Sequence, residues 1–218
     1  VFLRQLAEEA GLRVGPNFAA GVVFLPHDAD AAQRCRDALD AQLRAAGCQP
    51  CGWREVPTDA SVCGELARDT LPRIEQVFVD AAPGQSAEQF ALALFLARRR
   101  SEQQLRDVPD YYVTTLSADA ISYKGMVLPD KLSRFFPDLQ RRELASSAIV
   151  FHQRFSTNTL PRWPLAHPFR MLAHNGEINT IEGNRHWAQA RSKVWKTPKF
   201  DIAQFDPVIS MHGSDSQS

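Results

Sequence analysis

An α+β fold is predicted, from three observations. Four apolar runs of strand length stand at 18–25, 48–56, 71–80 and 111–116, with β-branched and aromatic residues set between turn formers. Two stretches of helical period, 28–46 and 86–100, each begin at a residue able to cap a helix. The chain order is therefore β-α-β-β-α-β, that of the ferredoxin-like split motif. Residues 15–117 are expected to form a lobe of their own beside a second region, 118–218.

The elements follow in order. Apolar positions 2, 3, 6 and 7 have helical spacing, so a first helix is expected to run to Ala10 and stop at Gly11. Residues 18–25 read as a buried strand halted by Pro26. Asp28 or Asp30 caps the next helix, which reaches about Ala46 and has Gly47 at its C′ position. A strand over 48–56 ends at Pro57, another covers 71–80, Ser86 caps a helix over 86–100, and a fourth strand covers 111–116. Arg98-Arg99-Arg100 is expected to close its helix, where cations offset the dipole. Beyond it, 120–123 and 126–128 flank Lys124-Gly125 as a hairpin, and Pro129 opens a short helix reaching Phe136.

Composition excludes several classes of partner. Lys plus Arg and Asp plus Glu are 25 each among 218 residues, so the charge balance recruits neither nucleic acid nor an anionic membrane surface. The longest apolar runs fall far short of the ~20 residues a membrane span needs. The chain starts Val-Phe-Leu-Arg with no leader in view and is expected to be cytoplasmic. Of the four cysteines, Cys48 and Cys51 form a C-x-x-C, but no second pair supplies the remaining ligands of a zinc site. Cys35, Cys48, Cys51 and Cys63 are expected to be ordinary thiols in a reducing compartment.

Chemistry concentrates between Phe151 and Trp187. A buried strand over 148–151 is expected to deliver Arg154, Ser156, Thr157 and Asn158 to its end. A second apolar run, 168–173, ends at His174-Asn175-Gly176, and a helix is expected from about Thr180 as N-cap. Arg154 offers a planar fork for a carboxylate, with Thr157 as a hydroxyl or backbone donor beside it. Asn175 and Gly176 offer a side-chain amide and an unhindered backbone N–H, the parts of an oxyanion hole. Asp215 could accept from a substrate ammonium. Singly, each residue also fits a salt-bridged strand end, a plain turn or a solvated loop carboxylate. Together they describe an amino acid site. Two other readings stay open: a binding module built on the lobe, and a zinc hydrolase using His152, His167, His174 or His186 with Glu177 and Glu182, of which Glu182 and His186 are four residues apart.

The phrases HQRFSTNT at 152–159, AHPFRMLAHNGEINTIEGNRHW at 166–187 and GSDS at 213–216 closely resemble the glutaminase domain of the glutamate synthase large subunit. That domain is a class II glutamine amidotransferase with the N-terminal-nucleophile fold. The resemblance implies an αββα sandwich, truncated at its start, with 15–117 as an inserted ferredoxin-like lobe. It implies that Arg154 holds the α-carboxylate of L-glutamine, Thr157 assists it, Asn175 and Gly176 form the oxyanion hole and Asp215 accepts the α-amine. In the family the nucleophile is a cysteine at the mature N-terminus with its own α-amine as base, whereas position 1 here is Val. The expectation is thus a piece lacking its upstream segment and inactive alone. FMN, an iron–sulfur cluster and a reduced electron donor are implied for other domains of the large subunit, with a small subunit as a further partner.

Overall fold

A computed structural model describes residues 1–155, 160–170 and 180–211. Helix α1 (Phe2–Glu9) buries Phe2, Leu6 and Ala7, the stripe its spacing predicts, and stops at Gly11 with φ of 74°. Strand β1 (Phe18–Leu25) follows, then α2 (Ala29–Ala45), whose N-cap Asp28 accepts from the Ala31 amide at 2.7 Å. Strand β2 (Gln49–Glu55), a short helix α3 (Glu65–Asp69), strand β3 (Arg73–Asp80), helix α4 (Ala87–Gln104) and strand β4 (Tyr112–Ser117) complete this region. Ser86 and Gln89 close a full capping box at the start of α4.

The strands form one sheet in the order β2-β3-β1-β4, with every neighbouring pair antiparallel. Helices α2 and α4 cover one face, where Val23, Leu25, Leu39, Leu43, Val77, Leu94 and Val113 pack together. The other face is covered too. There Val22, Phe24, Ile74 and Tyr112 meet Phe135, Phe136 and Trp163, while Ala20 and Phe78 meet α1. Burial on both sides is why β1 reads as a continuous apolar run with no alternation. Gly21 is required in it, because a Cβ there would stand 2.7 Å from the Thr115 carbonyl oxygen of β4.

After β4 the chain crosses the second face in extended and 3₁₀ segments, with α5 (Leu132–Phe135) lying against the core. The expected hairpin at 120–128 does not form: no strand occurs there, and Tyr123 and Lys124 instead point their polar ends into separate buried networks. Tyr123 donates to Asp138 at 2.9 Å, and Asp138 also pairs with Arg54 of β2, whose Nε reaches Gln76. The arginine run likewise departs from expectation. Helix α4 continues to Gln104, so Arg98 pairs with Glu102 one turn on, and Arg99 and Arg100 reach the Val208 carbonyl and Gln204. These arginines dock the 200–208 segment, whose Phe200 and Phe205 rings pack on Phe95.

Two further expectations are corrected. Residues 148–151 are not a buried strand: Ile149, Val150 and Phe151 are 79%, 81% and 74% exposed, and no described strand pairs with them. A β-branched composition reports fitness for a pleated, half-buried surface and makes no strand without a partner. Helix α6 (Glu182–Ser192) begins after Ile181, with no side-chain cap, so Thr180 is not its N-cap. Glu182 in its first turn and Arg191 in its last complement the dipole instead. No helix among the described residues is long and apolar enough to cross a membrane.

Candidate active site

The last described residues before Asn175 are those of Trp163–Arg170, a segment that packs against Tyr112, the first residue of β4. Trp163 is buried, meets Phe24 edge-on at 6.1 Å and Phe135 at 5.5 Å, and donates its indole N–H to the Ala67 carbonyl at 3.2 Å. Gly125 lies so close that a Cβ would stand 2.5 Å from the Trp163 ring. Lys124, 2% exposed, donates to the carbonyls of Pro164 at 2.9 Å and Ala166 at 2.8 Å, and its Nζ stands 3.4 Å from the Tyr112 hydroxyl. The same ammonium faces the rings of Tyr112 and Phe169 at 4.5 and 4.9 Å. Arg170 closes the segment by donating to the Val113 carbonyl and pairing with Glu102, which also carries Arg98.

Arg154 lies in the segment just before residue 156. It is exposed, and its backbone N–H donates to Nδ1 of His152 at 3.0 Å. His152 stacks on His167 with centroids 4.4 Å apart, and His167 packs against Phe169 at 4.6 Å. The structure therefore joins the Arg154 segment to the one leading toward Asn175. Thr157, Asn175, Gly176 and Asp215 lie outside the described residues, as do Ser156, Asn158, His174, Glu177 and residues 171–173 of the second apolar run. A cavity of about 410 Å³ behind Pro164 is lined by Tyr111, Tyr112, Arg106 and Arg162, not by Arg154. Glu182 and His186 do share α6, but among the described residues no group of three or more His, Cys, Asp or Glu could hold a metal.

Lys124 and the histidine stack were missed in the sequence because Lys124-Gly125 passes for a turn. The available signal was Lys124 as the single charged residue in the run 120–129. Burial, with a smaller push from Arg170, lowers the Lys124 ammonium to about 7. Burial also lowers His167, helped by His152 and Lys124. A base depressed in the fold contributes stability that is complete above its unfolded value, ~10.4 for lysine, and lost as pH falls through the folded value. The unfolding free energy should accordingly climb from about pH 6.5 to about 7.5, below the range where the four raised thiols, with an unfolded value of ~8.5, act with opposite sign. Denaturant titrations across that range should show the climb in the wild-type chain and its flattening in Lys124→Met. Equal slopes in the two would contradict the lowering of Lys124 by burial.

Comparison with known proteins gives the class. The family model described as glutamine amidotransferases class-II matches residues 1–218, and the chain belongs to that enzyme family. Its sequence is 44% identical, over 100% of its length, to the glutamate synthase [NADPH] large chain of Azospirillum brasilense, of which it covers 15%. It is 38% identical over 89% of its length to the chloroplastic ferredoxin-dependent glutamate synthase of Oryza sativa subsp. japonica, covering 13% of that protein. With the glutamate synthase [NADPH] large chain of Bacillus subtilis the identity is 33% over 99% of the chain and 14% of the relative. The chain thus spans about one seventh of the curated relatives it matches.

Proposed function

We propose that this chain is the glutaminase part of a glutamate synthase, hydrolysing L-glutamine to glutamate and ammonia. The observation that carries the reading is the class II amidotransferase match along the whole chain. The exposed Arg154 fork and its link through His152 and His167 to the segment ahead of Asn175 support it. A terminal cysteine thiolate attacks the side-chain carbonyl, its α-amine having taken the thiol proton and passing it to the departing ammonia. Water then cleaves the glutamyl thioester, freeing glutamate and restoring the thiol. Arg154 grips the α-carboxylate with Thr157 beside it, Asp215 accepts from the α-ammonium, and Asn175 and Gly176 donate to the oxyanion. The fold reading that goes with this is an αββα sandwich of the N-terminal-nucleophile kind, with the four-stranded unit as an inserted ferredoxin-like lobe.

Ammonia would pass to a synthase domain acting on 2-oxoglutarate, where FMN, an iron–sulfur cluster and a reduced electron donor belong. No residue of this chain is assigned to those groups. The remaining large-subunit domains are the proposed partners, with a small subunit as a further one. Four free thiols suit a reducing compartment, and the cytoplasm is the proposed location, unlike that of the chloroplastic rice relative.

The internal cysteines are not candidates for the nucleophile. Burial pushes all four thiols up, Cys48 and Cys51 to about 11, which leaves almost no thiolate near pH 7. A chain with Val1 at its N-terminus should therefore release ammonia from glutamine no faster than buffer. Replacing Cys35, Cys48, Cys51 and Cys63 together in the full-length protein, with the family's cysteine at its mature N-terminus, should leave turnover within about threefold. Loss of activity in a folded quadruple variant would show that one of these thiols takes part.

A further inference from the structure

We propose that Lys124 is a positioning residue for the glutamine site, the anchor that fixes the Trp163–Arg170 segment, from which the chain leads on to Asn175 and Gly176. The inference rests on the glutaminase reading above. Its physical basis is a buried cation with no carboxylate against it among the described residues. Nζ meets two backbone carbonyls, a phenol and two aromatic faces. Moving an ammonium out of water is costly unless hydrogen bonds replace its hydration, and an apolar residue would fill the same space without that cost. What lysine supplies there is a long reach ending in several donors. They hold the Pro164 and Ala166 carbonyls in the turn that Trp163 begins.

The groups around Nζ make the arrangement specific. Tyr112 faces it from β4. Arg170 and His167 face it from the segment it holds, with His152 stacked behind His167 and Glu102 of α4 reached through Arg170. Burial and the nearby Arg170 both work against the ammonium, while the groups around it are held by their own contacts. Trp163 is locked by Phe24, Phe135 and the Ala67 carbonyl, and Gly125 admits no side chain between it and the lysine backbone. Asn175 follows Arg170 by only five residues. A donor worth about 100- to 1000-fold in turnover must be held to a fraction of an ångström, and this anchor lies at the near end of the connection.

Two measurements test the anchor separately from the glutaminase reading. In the 218-residue chain, Lys124→Met should speed hydrogen exchange of the Leu165 and Ala166 amides at least tenfold while amides of β1 and β3 keep their protection. In the full-length protein, the same substitution should lower kcat about 10- to 100-fold with KM changed less than threefold. Lys124→Gln, which keeps N–H donors but falls short in reach, should recover part of that loss. Should Lys124→Met not fold, Gly125→Ala serves instead, since its methyl pushes the Trp163 ring away from the same contact, and the same kcat-selective loss is expected. Unchanged exchange at Leu165 and Ala166, or a folded variant with wild-type kcat, overturns the proposal. A wild-type protein that releases no ammonia overturns the glutaminase reading and with it the role given to Lys124, even if the exchange result stands.

Discussion

Asn175→Ala should lower kcat for glutamine hydrolysis about 100- to 1000-fold and leave KM nearly unchanged. Attack on an amide places negative charge on the carbonyl oxygen only as the transition state forms. A donor aimed at that oxygen therefore stabilises the transition state far more than bound substrate. Loss of one such donor costs roughly 2.7 to 4 kcal/mol, which gives the stated factor. A plain turn residue would behave differently. Its removal would lower thermal stability and leave the folded fraction fully active, so steady-state kinetics together with a melting curve separates the two roles. Gly176→Ala is the poorer probe, because an added Cβ can displace the N–H and the chain together.

Arg154→Lys should reduce kcat/KM about 10- to 150-fold. The substitution keeps the charge and loses the fork, and charge-assisted hydrogen bonds of ~1.5 to 3 kcal/mol set the range. Asp215→Asn should act on the opposite end of the substrate with a comparable loss. The check is discrimination rather than rate alone. Arg154→Lys should lose its preference for glutamine over carboxylate-capped analogues, and Asp215→Asn its preference over des-amino analogues. Undiminished discrimination by either variant would remove that contact from the site. Arg154 is exposed in the structure, which suits a residue whose partner is a ligand.

The four-stranded sheet and its two long helices were legible in the sequence to within a residue or two at most ends. Its strands are apolar runs between prolines and glycines, its helices start at Asp28 and Ser86, and each local preference agrees with the packing around it. Legibility fails where the signal depends on a partner. The 148–151 run has the composition of a strand and lies exposed, because a ladder needs a second strand that composition cannot supply. The arginine run looked like a helix end because nothing local announces Val208 and Gln204, which Arg99 and Arg100 reach. Lys124 was hidden for the same reason, since its contacts at Pro164 and Ala166 lie some forty residues away. The proposed site residues were readable as phrases, whereas the His152–His167 stack and the Lys124 contacts became visible only in three dimensions.

The most direct test of the glutamine site is covalent labelling of the full-length protein, bearing the terminal cysteine, with a γ-diazoketone analogue of glutamine, followed by mass mapping of the adduct. One label per chain is predicted, on the terminal cysteine, blocked by L-glutamine and slowed at least tenfold by Arg154→Lys at low reagent concentration. A label on Cys35, Cys48, Cys51 or Cys63, or labelling at the terminal cysteine indifferent to both glutamine and Arg154, would contradict the site proposed for this chain.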